Sequence, residues 1–137
     1  MSIIETGDEY QEEFLISQEQ VEKFAEVSGD FNPIHLDPDF AVNTPFKKPI
    51  IHGFLGSSIF SKILGTKFPG EGTVYLSQSL EFKRPMFTGI SYVASVKVAE
   101  TDKAKGTATL ETTISDRNTK KVVVTGRATV MNKEKIK

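Results

Sequence analysis

The stretch GDFNPIHLD, residues 29–37, sets a carboxylate, an amide, a proline and an imidazole between two apolar segments. Asp30 can accept a proton, and His35, with an ordinary pKa of about 6.5, can exchange one at neutral pH. Pro33 disfavours helix at Asn32 and biases it to extended geometry, so the chain turns a corner there. Asp30 and His35 can then converge on one water, the arrangement that general acid–base chemistry needs. Taken alone, the same residues also suit Asx turns beyond a helix end. With two histidines and no cysteine, the chain offers no disulfide, thiolate nucleophile or thiolate metal site. A metal would have to draw on scattered carboxylates, so none is expected. Ser57 and Ser58 follow Gly56 without a G-x-S-x-G elbow, which argues against serine-hydrolase chemistry.

The elements around this stretch must position it. Tyr10 to Ile16 reads as a short extended segment. In SQEQVEKFAEVSG, Ser17 and Gln20 form a capping box, Val21, Phe24 and Ala25 share a helical face, and Gly29 supplies the stop. GDFNPIHLD itself reads as neither helix nor strand, and a helical turn is expected at residues 38–42, capped by Asp37. HGFLGSSIFSKILG, residues 52–65, is apolar or small nearly all round with one lysine, Lys62, which predicts a buried helix. His52 is expected to brace its start by a hydrogen bond. After PGEG at 69–72 the period becomes two. Val74, Leu76, Gln78, Leu80 and Phe82 form one row; Ile90, Tyr92, Ala94, Val96 and Val98 another; Ala108, Leu110, Thr112 and Ile114 a third. Residues 122–131 form the last strand. Turn signals at Arg84-Pro85, Asp102 to Gly106 and Asp116 to Asn118 predict a four-stranded antiparallel meander. One buried helix beside such a sheet gives an α+β domain whose sheet curls around the helix.

Bulk composition narrows the function. A length of 137 residues with 38% apolar and 26% charged residues suits one globular domain, residues 1–137. A net charge of −1 with scattered lysines predicts no nucleic-acid partner. No apolar run approaches the ~20 residues of a membrane span, and MSIIETGDEY is too polar and acidic for a signal peptide. A cytoplasmic, membrane-independent protein is expected.

Three segments together carry a family resemblance: FAEVSGDFNPIH, residues 24–35, with Ala41 six residues later; PIIHGFLGSSIFSKILG, 49–65; and YLSQSLEFKRPMFTG, 75–89. They resemble the MaoC-like (R)-specific enoyl-CoA hydratases, closest to the short members that supply monomers for polyhydroxyalkanoate synthesis. The resemblance covers essentially the whole chain and implies the hotdog fold. It also implies hydration of trans-2-enoyl-CoA to (R)-3-hydroxyacyl-CoA, without a cofactor, in a homodimer with acyl-thioester sites near the interface. Asp30 and His35 match the family's catalytic pair. Gly53, at the start of the buried helix, matches the glycine whose N–H holds the thioester oxygen. Ser61 matches a serine near the catalytic pair, and Asn32 would orient the water or the Asp30 carboxylate.

The chemistry agrees. Adding water across C2–C3 needs a proton acceptor, a proton donor and a site for the charge on the thioester oxygen. A helix N-terminus opening on glycine suits the last. Leu64 and the inward face of the last strand are expected to line the acyl tunnel, and Lys47, Lys48, Lys83 and Arg84 to contact coenzyme phosphates. Alternative readings are an acyl-carrier-protein dehydratase, a hotdog thioesterase and a non-catalytic acyl-binding subunit. An intact Asp30/His35 pair argues against the last. Both residues lie upstream of the buried helix, which argues against the thioesterase. Coenzyme A versus acyl-carrier protein, and acyl length, stay open.

Overall fold

The computed structural model describes residues 3–137; Met1 and Ser2 lie outside the described residues. Along the chain run β1 (Glu9–Leu15), α1 (Gln18–Ser28), α2 (Pro33–Leu36), α3 (Pro38–Ala41), α4 (Gly53–Thr66), β2 (Val74–Phe82), β3 (Ser91–Asp102), β4 (Thr107–Asp116) and β5 (Val122–Met131). The five strands form one antiparallel sheet in the order β1-β3-β4-β5-β2. α4 lies against it, the hotdog arrangement. Phe60, Ile63 and Leu64 of α4 pack with Tyr92, Val96, Val98, Leu110, Ile114, Val124 and Val130 in one apolar cluster. Each such side chain, fully removed from water, contributes about 1.5–3 kcal/mol.

The local signals of α1 hold. Gln20 N donates to Ser17 Oγ at 3.2 Å, Ser17 N donates to Gln20 Oε1 at 2.9 Å, and Gly29 ends the helix at φ 80°. The inward rows of β3 and β4 are buried as their alternation predicts.

Four expectations are corrected. The meander covers only β3-β4-β5, because β2 pairs with β5 at the far edge and β1 takes the place beside β3. Residues 83–90 are too long for a tight hairpin and cross the end of the sheet. Lys83 N donates to Val123 O, and Gly89 N to Ile16 O. Next, a register shift between Tyr75 and Ser77 makes Leu76 an extra residue, so Tyr75, opposite buried Val130, joins Gln78, Leu80 and Phe82 on the inner face. Val74 and Leu76 do not belong to that row. Third, α4 is not buried all round: Phe54, Ser58, Ser61 and Lys62 are exposed on one side. Lys62 reaches across to β1, where its ammonium donates to Glu12. Finally, Pro33 opens a helix of four residues rather than an irregular corner, since a proline at the first helical position gives up only a donor that would be unpaired anyway.

Candidate active site

Three short elements bring the acid and the imidazole together. Beyond Gly29, Asp30 starts a turn in which its Oδ1 accepts from Asn32 N at 3.1 Å. Asn32 is extended (ψ 122°), as its place before proline requires, and its Oδ1 caps α2 by accepting from Ile34 N at 3.1 Å. α2 then turns His35 back toward Asp30, leaving His35 Nε2 and Asp30 Oδ2 4.0 Å apart. The Asx turns that are the plainer reading of this motif are therefore present, and they serve to aim the pair.

The two side chains differ in environment. That of Asp30 is 49% exposed and that of His35 11%. His35 Nδ1 lies 2.8 Å from Ile50 O. A carbonyl only accepts, so Nδ1 carries the hydrogen and the neutral ring presents a lone pair on Nε2 toward Asp30. Burial is the main influence that holds His35 below its ordinary pKa, and the neighbouring His52 ring acts the same way. The Ile50 carbonyl and Asp30 carboxylate oppose them.

Gly53 begins α4, where backbone N–H groups lack intrahelical partners. A Cβ there would lie 2.7 Å from the Phe82 ring. His35, Gly53, Phe54, Phe82, Lys83, Arg84, Met86 and Val124 line one cavity of about 410 Å³. The cavity thus brings the His35 imidazole and the N-terminus of α4 to one space.

Residues 2–124 match the family model described as the MaoC like domain. The chain belongs to this MaoC-like family. An (R)-specific enoyl-CoA hydratase from Aeromonas caviae is 48% identical over 111 residues, covering 81% of this chain and 82% of the relative. The solved (R)-hydratase from A. caviae involved in PHA biosynthesis superposes with a TM-score of 0.89 at 43% identity, covering 93% of this chain and 96% of that one. A mitochondrial 3-hydroxyacyl-[acyl-carrier-protein] dehydratase from Arabidopsis thaliana is 35% identical over 133 residues, covering 95% of this chain and 78% of the relative.

Within this MaoC-like chain the other expected site residues separate. Asn32 touches Asp30 through its backbone N–H, while its side-chain oxygen is spent on α2. Ser61 lies eight residues, about 12 Å of helix, beyond Gly53. It opens on a second cavity of about 450 Å³ with Phe54, Ser57, Tyr75, Gln78 and Leu80. Leu64 is packed in the core and lines neither of these two cavities. Of the four basic residues, Lys83 and Arg84 border the His35 cavity, Lys83 also pairing with Glu81, and Lys48 stands over the Phe87 ring at 4.5 Å.

His52 departs most from expectation. It makes no side-chain bond to its own helix. Its Nε2 lies 3.1 Å from Asp30 O, 22 residues back in sequence, and its ring stacks on His35 with centroids 3.9 Å apart. Nothing in the sequence near His52 signals this; the I-H-G match is the only hint. Nor are the potential metal donors scattered: atoms of Asp30, His35 and His52 lie within 4.8 Å of one another. Their geometry suits a metal poorly. Zinc binds in the plane of an imidazole at about 2.0–2.1 Å. With the two rings stacked at 27°, an ion in the plane of one lies off the plane of the other.

Proposed function

We propose that this chain catalyses the reversible (R)-specific hydration of trans-2-enoyl-CoA to (R)-3-hydroxyacyl-CoA. The observation that carries the reading is the facing of His35 Nε2 and Asp30 Oδ2 at 4.0 Å, with His35 lining a cavity that also holds Gly53 at the N-terminus of α4. Both atoms accept hydrogen bonds, so one water between them gives a hydrogen to each. As the water oxygen bonds to C3, His35 takes one proton on Nε2 and delivers it to C2 on the same face. The other hydrogen stays on the water oxygen, hydrogen-bonded to the Asp30 carboxylate, and leaves as part of the product hydroxyl. The division of labour follows from the tautomer, because Nε2 has no hydrogen to give until it has received one. The Gly53 N–H holds the thioester oxygen while it bears negative charge, a contribution of roughly 3–4 kcal/mol for such preorganised donors.

The A. caviae hydratases support this activity and, with it, a place in polyhydroxyalkanoate monomer supply. The plant dehydratase supports a second reading, the reverse reaction on an acyl-carrier protein. Purified protein given crotonyl-CoA should bleach the conjugated-thioester absorbance without freeing a thiol and yield the (R)-3-hydroxy product. Release of thiol would indicate a thioesterase, and no change a binding subunit. Parallel assays with crotonyl-acyl-carrier protein decide the carrier.

The reading includes a single domain over residues 1–137 that forms a cytoplasmic homodimer. Among the described residues, no helix is long and apolar enough to cross a membrane. Support for the dimer comes from β2, an edge strand that exposes Val74, Tyr75, Leu76 and Phe82 beside Phe54, which is 72% exposed. An unpaired apolar edge of this kind is a pairing surface. Sedimentation at micromolar concentration should give twice the 15.2 kDa chain mass; a single-chain mass would remove this part.

A further inference from the structure

We propose that His52 is a positioning residue for the Asp30–His35 pair, one buried side chain holding the backbone of the acid and the ring of the imidazole together. The inference rests on the hydratase reading and goes beyond it, since His52 needs no contact with substrate.

Four observations converge. The ring is only 2% exposed. It is clamped between Phe24, at 4.8 Å and 58°, and His35, at 3.9 Å and 27°. Because Asp30 O can only accept, the 3.1 Å contact is a bond donated by His52 Nε2–H. The remaining nitrogen, Nδ1, is buried with no hydrogen-bond partner among the described residues. Packing alone would be served better by a carbocyclic ring, which has no unpartnered nitrogen to bury. What an imidazole adds here is the Nε2–H.

The consequence is geometric. Asp30 is held by local turns on a half-exposed corner, whereas the buried His35 is fixed by its bond to the Ile50 carbonyl. His52 ties that corner to the His35 ring and is itself the residue preceding Gly53. The acid, the imidazole and the helix N-terminus that faces the thioester are thus referred to one rigid side chain.

Two substitutions separate the two contacts. His52→Phe keeps a flat ring against His35 and removes the donor; His52→Gln keeps a donor and removes the ring. With only two histidines in the chain, His35 is the sole imidazole in either variant, and its NMR signals need no assignment. For folded His52→Phe, kcat on crotonyl-CoA should fall by about 10²-fold, the loss expected from misplacement by about 1 Å. KM should stay within about threefold, and His52→Gln should recover at least about tenfold of the lost kcat. An unchanged kcat in His52→Phe, or equal losses in both variants, would overturn the proposal. The wild-type protein supplies a measurement independent of variant folding and of activity: imidazole ¹⁵N shifts should show His52 hydrogenated at Nε2 with a slowly exchanging proton. A His52 hydrogenated at Nδ1 alone would sink the inference even if hydration is observed. Absence of hydration with the Nε2–H in place would instead count against the proposed function.

Discussion

Gln78 on β2 reaches Thr112 on β4 across the intervening strand β5, its Nε2 donating to Thr112 Oγ1 at 2.9 Å. The crossing passes over Gly126, which pairs with both Leu80 and Thr112. Thr112 is fully buried, and this bond satisfies its hydroxyl. A Cβ at 126 would lie 1.9 Å from Ser79 O and 2.9 Å from Gln78 Nε2. Gly126→Ala should therefore force β2 away from β5 and cost about 3 kcal/mol or more, the range of severe packing defects. Chemical denaturation would measure it, and a loss below about 1 kcal/mol would mean that the strands yield easily.

Asp30→Asn and His35→Ala should each lower kcat by at least about 10²-fold, the low end for general acid–base catalysis. Asp30 is half exposed, so its substitution should change stability by less than about 1–2 kcal/mol. The two losses should be far from multiplicative, because one shared water needs both partners. A double variant whose loss equals the product of the single losses would show that the two act independently.

The pH dependence follows from the burial of His35. Its folded-state pKa lies below the ordinary value, chiefly through burial, so folding favours the neutral ring. The associated stability is present above about 6.5 and is lost as pH falls through the lowered value. In the proposed mechanism the neutral ring is also the form that accepts the water proton. The acid limb of kcat/KM should accordingly lie below about 6.5, read from a pH–rate profile. An acid limb above that point would contradict the assignment of His35 as proton acceptor.

At Gly53, an alanine Cβ would meet the outer edge of the Phe82 ring at 2.7 Å. Phe82 is half exposed and can swing aside, so Gly53→Ala should fold. The displaced ring would crowd the approach to the α4 N-terminus. We expect kcat/KM to fall by about 10²-fold, comparable to losing one oxyanion donor, with a melting temperature near that of the parent. Steady-state kinetics beside thermal melts would distinguish this from simple unfolding.

The ion pair between Lys62 and Glu12 makes a separate stability prediction. The Lys62 hydrogen bond is the main reason that Glu12 lies below the usual carboxylate range. Its contribution is present above about 4.3 and lost as pH falls through the lowered value. Because the lysine is half exposed, Lys62→Ala should cost only about 1 kcal/mol at neutral pH. That difference should shrink under acid conditions in denaturant titrations.

Sequence by itself determined whatever depends on local chemistry. The α1 capping box, its glycine stop, the non-helical Asn32 before Pro33 and the inward rows of β3 and β4 need only neighbouring residues and periodicity, and each is in place. The candidate residues Asp30, His35 and Gly53 stand out in the sequence because motifs fix their types and spacing, while their roles belong to the proposed function. Tertiary structure decided the rest. The pairing of β2 with β5 depends on how the chain crosses the end of the sheet, and one extra residue at Leu76 reverses the face on which Tyr75 lies. Lys62 reads as an anomaly in an apolar helix until β1 brings Glu12 beside it. His52 reads as a helix-start residue until folding lays its ring on His35 and its nitrogen against a carbonyl 22 residues back. Contacts between residues far apart in sequence leave no periodic signal, because closing the loop between them depends on the whole sheet and helix packing first.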